Sequence, residues 1–381
     1  MNFILRALRR LFWIVCYLLP INNAKIVFMS YYGRDYSDNP KYIAEELIRR
    51  RKDLKYFWIL SSKEDQNDLP AVFKVIKLNS FSYIYHMSTA KIWVDNARKY
   101  FCLKKKKQIY LQTWHGGFGL KKIEKDTEKT LAVDYIRMAM RDSQQCDLML
   151  SNSRTLTQLY HDAFWYSGDV MERGLPRNDR LFNYTDADVK TIREKLNIDH
   201  DVKIILYAPT FRQDENLDVY NLDSASIANA AAERFGGKWL VLLRLHPNVF
   251  RLSVSLPILN DESTINVSFF SDIQELYMIS DILITDYSSV MLDFMLLKKP
   301  CLIYASDMDS YRKERDFFIP LESLPFPLTE DNQTMVDSII SFDYEKYKKA
   351  VDDFYKLHGF CELGNAANAA AGWILDRMKD K

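Results

Sequence analysis

The residues best suited to chemistry at neutral pH sit in short clusters that follow apolar, β-rich runs. In Thr113-Trp114-His115-Gly116-Gly117-Phe118-Gly119 a histidine stands beside three glycines. Glycine lets the backbone approach a ligand closely and take positive φ. An imidazole of ordinary pKa, about 6.5, can act there as a general base. The plainer alternative is a turn histidine that caps or packs; the glycines around it favour function. Arg244-Leu245-His246-Pro247 is the second cluster. Strand alternation puts Arg244 and His246 on one side and Leu245 on the other. Two cationic or donor groups at a strand's carboxyl end suit a diphosphate, and Pro247 ends the ladder; a salt bridge beside a strand-end histidine is the alternative.

Two more clusters have the same form. Ile282–Thr285 runs into Asp286-Tyr287-Ser288-Ser289 and then an apolar helix. Ser288 and Ser289 fall at the helix start, where free N–H groups and the positive end of the dipole favour an anion. Hydroxyls there also cap helices, and both roles are compatible. Asp293, four residues past Ser289, shares its helix face. Tyr207-Ala208-Pro209-Thr210-Phe211-Arg212 ends another strand, with Thr210 and Arg212 on one side. Arg177, in Gly174–Asp179, is a further cationic candidate. No metal or other cofactor is expected: no two histidines share a helical face at ligand spacing, and Asp307-Met308-Asp309 lies in a late, aspartate-rich segment.

These clusters need elements to hold them. Short β-rich runs at 25–32, 56–60, 72–78, 91–97, 109–114 and 147–153 alternate with helical stretches at 41–51 and 127–146. The series restarts at 203–210, followed by a helix at 224–235 and strands at 239–247, 264–270, 281–289 and 301–304; beyond Thr329 the pattern is helical. Such alternation means βαβ units and a mostly parallel sheet. The fold class is therefore α/β: two Rossmann-like domains facing a cleft, with ligands beyond the carboxyl ends of the strands. The polar stretch 179–201 is the expected linker. The domains are an amphipathic helix over 1–20, an N-terminal Rossmann-like domain over 21–185, and a C-terminal Rossmann-like domain with the terminal helices over 186–381.

A length of 381 residues suits two domains. The net charge of +1 gives no global pull towards nucleic acid, and no nucleic-acid partner is expected. Five scattered cysteines without a CxxC pair indicate a reducing compartment. In the first twenty residues, Arg6, Arg9 and Arg10 form a basic stripe that Trp13 and Tyr17 continue. The other face carries Phe3, Ile4, Leu8, Leu11, Ile14, Val15 and Leu18. This predicts an interfacial membrane helix, too short in its apolar run to span. A core-packed helix and a signal peptide are the alternatives, the latter lacking a small-x-small cleavage site.

Taken in order, QTWHG, YAPTFR, RLHP and SDILITDYSS resemble the CDP-glycerol glycerophosphotransferase family of teichoic acid biosynthesis. Asp38-Asn39-Pro40-Lys41, GLPRND and KPCLIY extend the resemblance over about Lys25 to Tyr304. It implies the GT-B fold with a C-terminal helix returning to the first domain, and a peripheral place on the cytoplasmic side of the cell membrane. It makes the N-terminal Rossmann-like domain the acceptor domain and the C-terminal one the CDP-donor domain. It implies that His115 deprotonates the acceptor, that Arg244 and His246 hold the donor diphosphate, His246 being counted with His115 as catalytic, and that Ser288 and Ser289 bind phosphate. Pro209, Thr210, Arg177 and Asp293 match donor-contacting positions, and Trp114, Gly116, Gly117, Arg212 and Asp286 join them from the same motifs. The chain departs from the family after His115, where Gly117–Lys121 replaces a TPxK segment, and again at Arg315–Phe318, Phe326–Leu328 and Leu363–Ala367. These are acceptor-proximal or late segments, so the acceptor stays open.

The expected reaction is in-line attack of an acceptor hydroxyl on the polyol-bearing phosphate of CDP-glycerol or CDP-ribitol, releasing CMP. The acceptor class is a lipid-linked saccharide or polymer. The resemblance leans towards priming or single additions, because polymerising members often carry a further N-terminal domain. A GT-B glycosyltransferase using a nucleotide sugar is the alternative, and a non-catalytic membrane scaffold a more distant one.

Overall fold

The computed structural model describes residues 3–62, 69–116, 118–212, 217–245, 256–314 and 317–379. They form two compact units: Met1–Gly117, Ile123–Asp179 and Phe360–Lys381 in the first, Phe118–Lys122 and Arg180–Gly359 in the second.

In the first unit the order is α1 (Phe3–Tyr17), β1 (Asn22–Met29), α2 (Asp38–Arg50), β2 (Lys55–Leu60), β3 (Lys74–Lys77), α3 (Phe81–Thr89) and β4 (Ala90–Asp95). There follow β5 (Ile109–Gln112), α4 (Val133–Gln145), β6 (Leu148–Ser151), α5 (Arg154–Ala163) and β7 (Asp169–Glu172). The seven strands form a parallel sheet in the order β3-β2-β1-β4-β5-β6-β7. Alternation along β1 explains why both faces are covered. Ile26 and Phe28 enter one core with Leu47 and Trp58, whereas Val27 and Met29 enter another with Trp13, Phe57 and Tyr83. A strand apolar on both sides belongs between two helical layers.

The second unit repeats the plan with β8 (Val202–Ala208), β9 (Lys238–Leu243), β10 (Thr264–Asn266), β11 (Ile282–Thr285), β12 (Cys301–Tyr304) and β13 (Leu328–Thr329). Its parallel order is β10-β9-β8-β11-β12-β13. The helix expected at 224–235 spans Ser224–Phe235, started by the Asp223 side chain, which accepts from the Ser226 N–H, and followed by Gly236 at φ 68°.

The units divide differently from the expected domains. The break falls at Asp179/Arg180, and the polar stretch expected to be a linker is mostly the helices Asp179–Asn183 and Asp186–Lys195, the second opened by a Thr185/Asp188 capping box. Residues Phe118–Lys122 fall in the second unit, where the Phe318 N–H donates to the Leu120 carbonyl at 3.0 Å. The terminal helix Ala366–Met378 falls in the first, because Ala370, Ala371 and Ile374 pack into the core of α2 and β1. The Asp179 carboxylate accepts from the Ala366 and Ala367 N–H groups at 2.9 and 2.7 Å, closing that helix's start.

Helix α1 packs by a narrow edge. Trp13 and Cys16 are buried, with Trp13 edge-on to Tyr83 and Phe101, and Phe12 edge-on to Phe81 at 5.1 Å. Trp13, expected on the polar stripe, is thus the anchor, because its neighbours on α3 are aromatic. Leu8, Leu11, Ile14, Val15 and Leu18 stay exposed. Among the described residues no helix is long and apolar enough to cross a membrane.

Candidate functional site

A parallel sheet opens a crevice where its strand order reverses, outside the carboxyl ends of the two strands there. In the first unit those strands are β1 and β4, which lead into Tyr31 and Asn96; His115 follows the neighbouring β5. The backbone bends sharply here. Tyr31, Tyr32, Asp38 and Trp114 all have positive φ, at 44°, 59°, 59° and 53°. Four non-glycine residues in this costly region, gathered around one histidine, mark a functional place rather than an ordinary turn. The glycines were expected to carry that conformation. Instead Trp114 does, while Gly116 has ordinary φ and Gly117 lies outside the described residues.

His115 is held at both its ring and its main chain. Ring Nδ1 lies 2.8 Å from the Asn96 carbonyl oxygen, which can only accept, so Nδ1 carries the proton and Nε2 keeps its lone pair. The Asn96 side chain donates to Asp38 at 2.5 Å and accepts from the Tyr31 N–H at 2.7 Å. Asp38 pairs with Arg177 Nη1 at 2.8 Å, and the same Nη1 donates to the His115 carbonyl at 2.8 Å. Asn39 adds a stitch on each side: it accepts from the Arg177 N–H at 3.1 Å and donates to the Trp114 carbonyl at 3.2 Å. Asp38, Asn39, Asn96 and Arg177 are all buried.

The Trp114 ring stacks on the imidazole with centroids 4.5 Å apart, and Tyr31 meets it edge-on at 5.6 Å. Behind Trp114, the Arg98 guanidinium lies 5.6 Å from the indole and pairs with Glu124 at 3.0 Å and Asp142 at 3.3 Å. The protein mass around His115 lowers its pKa below the ordinary value; the Asn96 carbonyl, Asp38 and Glu124 push back, and Arg177 adds to the lowering. His115 is nevertheless an exposed residue. A neutral imidazole whose Nε2 keeps its lone pair has the form that general-base chemistry requires.

The second unit's strand order reverses between β8 and β11, which lead into Pro209-Thr210 and Asp286. There the structure assigns Arg212 and Asp286 to each other. Arg212 donates through Nη2 to Asp286 at 2.8 Å, through Nε to Asp307 at 2.6 Å, and through Nη1 to the Thr210 carbonyl at 2.7 Å. Its guanidinium lies 4.8 and 4.9 Å from the rings of Tyr287 and Tyr311, which stack at 3.8 Å. Asp286 also accepts from the Thr210 N–H at 2.8 Å and hydroxyl at 2.5 Å. Arg212 and Asp286, both expected near the donor, are held in this buried frame. So is Arg177 in the first unit: sequence gave no sign that its partner, Asp38, lay 139 residues away. Asp307 belongs to the frame too, and among the described residues no group of three or more His, Cys, Asp or Glu side chains is placed to hold a metal.

Other expected residues also lie at strand ends or at the start of the helix after β11. Ser289 is the N-cap before the helix Val290–Phe294 and makes no side-chain cap bond, whereas the Ser288 hydroxyl accepts from the Val290 N–H at 3.4 Å; both serines are half-buried. Arg244 follows β9, half-buried, with Nη1 on the Phe270 carbonyl. Pro209 and Asp293 are buried. His246 and Pro247 lie outside the described residues. The residue that sequence reading missed is Asn96. Its key atom is a main-chain carbonyl, which no residue type advertises; its only signal was its place directly after a strand.

Two doubly wound parallel units, with polar clusters at the strand-order reversal of each, define an α/β protein of two Rossmann-like units. The chain belongs to the CDP-glycerol:poly(glycerophosphate) glycerophosphotransferase family, whose model matches residues 11–372. It is 35% identical to a teichoic acid glycerol-phosphate transferase of Staphylococcus aureus, over 91% of this chain and 90% of that protein. It is also 35% identical to a teichoic acid poly(glycerol phosphate) polymerase of Staphylococcus epidermidis, of which it spans about half, 48%. Its fold matches the wall teichoic acid polymerase TagF, in a variant soaked with CDPG, with TM-score 0.86 and 32% identity over 97% of this chain and 93% of that one.

Proposed function

We propose that this chain moves a polyol phosphate, glycerol phosphate first among the candidates, from a CDP donor to a hydroxyl of a lipid-linked or glycan acceptor. The acceptor oxygen forms a bond to the polyol-bearing phosphorus, the bond from that phosphorus to the CMP oxygen breaks, and the acceptor proton passes to His115 Nε2. Phosphoryl transfer needs positioning and charge neutralisation more than covalent help. In this reading Arg244 and His246 take the diphosphate, with Ser288 and Ser289 at the helix start. The carrying observation is the Nδ1 contact of His115 with the Asn96 carbonyl, which leaves Nε2 to accept a proton. The names of the relatives and the CDPG-soaked TagF support the donor class. The exposed apolar face of α1 supports a peripheral place on the cytoplasmic side of the cell membrane.

The test is His115→Ala. Donor affinity by calorimetry should hold, while CMP release in the presence of acceptor falls by roughly 10²- to 10⁴-fold. Near-normal turnover on saturating acceptor sinks the assignment. A nucleoside diphosphate product instead of CMP points to glycosyl transfer.

A further inference from the structure

We propose that Asp38 and Arg177 are positioning residues that fix His115 as its Nδ1–H tautomer, through a closed circuit of hydrogen bonds touching both its ring and its main chain. The circuit runs from the His115 ring to the Asn96 carbonyl, from the Asn96 side chain to Asp38, from Asp38 to Arg177, and from Arg177 back to the His115 carbonyl. Asn96, Asp38 and Arg177 are all buried, so the bonds among them act in a poorly screened setting. Two points of attachment remove both freedoms that matter: rotation of the imidazole about its side-chain bonds, and displacement of the loop that carries it. The left-handed Trp114 just before it is a conformation that neighbours must enforce, and Asn39 grips its carbonyl. Arg177 therefore acts on the base, not on the donor phosphates.

The circuit also places opposite charges beside the imidazole. Asp38 raises the proton affinity of His115 and Arg177 lowers it; Glu124 raises it from the 3-10 segment Glu124–Thr130. Arg98 lies beyond the Trp114 ring, and Tyr31, the other ring in contact, is held neutral by burial and by Asp38. Removing one member of the Asp38–Arg177 pair should move His115 one way, and removing the other should move it the opposite way. A purely structural role would not give shifts of opposite sign.

This inference rests on the reading of His115 as base, and its test is separable from that reading. In the full chain labelled with ¹⁵N-histidine, His115 is assigned by its loss in His115→Gln. The neutral form should show Nε2 unprotonated; a protonated Nε2 overturns the proposal without any activity measurement. Asp38→Asn should then lower the pH midpoint of His115, and Arg177→Gln should raise it. The acid limb of the turnover profile should follow with the same signs. Both variants should lose turnover by about 10²-fold, the effect of a small misplacement, with donor KM within twofold. Arg177→Lys should recover part of it. Shifts of the same sign, or Arg177→Gln raising donor KM tenfold with turnover kept, overturn the proposal. If these variants do not fold, the wild-type tautomer decides. His115→Ala tests the base independently.

Discussion

Arg212 sits between two carboxylates, with its side chain 5% exposed and four hydrogen bonds made. Burial alone would favour the neutral side chain, yet Asp307 and Asp286 more than offset it and hold the guanidinium charged. Removing it strands two carboxylates in a poorly hydrated setting, which typically costs about 3 to 5 kcal/mol. Arg212→Ala should therefore unfold the second unit at much lower urea concentration. Arg212→Lys should restore little, since an ammonium cannot span Asp286, Asp307 and the Thr210 carbonyl together. Unchanged urea stability with lost donor affinity would make Arg212 a ligand-binding residue and not a structural one. Sequence spacing located Arg212 and Thr210 correctly at a strand end. It could not show that Asp286, 74 residues on, had already claimed both. The same limit hid Asp38 behind Arg177. Pairing is a property of the fold, whereas strand ends are local patterns.

Elements were legible where burial was even. Cys301–Tyr304 and Ser224–Phe235 match their expected ranges, since one is buried throughout and the other has a clear cap and glycine end. Edge strand β7 gave no apolar rhythm, because its two half-buried residues, Val170 and Met171, are adjacent and flanked by exposed Asp169 and Glu172, and it was missed. Helix α3 was missed as well: Phe81-Ser82-Tyr83-Ile84-Tyr85 is rich in strand-favouring types, and tertiary packing overrides them. The terminal helix carries a pH-dependent contact. Burial raises Asp179 to about 6, although the Ala367 and Ala366 N–H groups pull it down. A carboxyl raised on folding binds its proton more tightly folded than unfolded. Its stabilising contribution is complete below about pH 3.9 and is lost as pH rises through about 6. Asp179→Asn keeps an acceptor for the helix start and removes the titration. Its melting temperature relative to wild type should therefore rise between pH 4 and 7, by the equivalent of at most about 3 kcal/mol. A constant difference across that range would place Asp179 outside the titrating set.

At the scale of the molecule, the net charge of +1 gives no global pull towards nucleic acid, and the sequence pattern left the first helix ambiguous between membrane and core. The structure gives each face of α1 its own setting. Phe12, Trp13 and Cys16 pack on α3 and Phe101, and Lys105 donates to the Cys16 and Leu19 carbonyls at the helix end. Leu11, Ile14, Val15 and Leu18 meanwhile stand 52 to 84% exposed on one continuous surface. Fully burying each such side chain would be worth about 1.5 to 3 kcal/mol, so a lipid interface can gain several kcal/mol without disturbing the packed edge. Deleting the helix would confuse the two roles, because it uncovers Phe81, Tyr83 and Met87. The cleaner variant is Leu11→Ser with Ile14→Ser and Leu18→Ser, which spares Trp13. Cosedimentation with vesicles of phosphatidylglycerol and phosphatidylcholine should fall at least tenfold, while the melting temperature stays within about 2 °C, as expected of surface changes. Arg10, whose guanidinium lies 5.6 Å from Phe101, should make the wild-type binding weaken partly in high salt. Equal vesicle binding by the triple variant would remove α1 from the membrane contact.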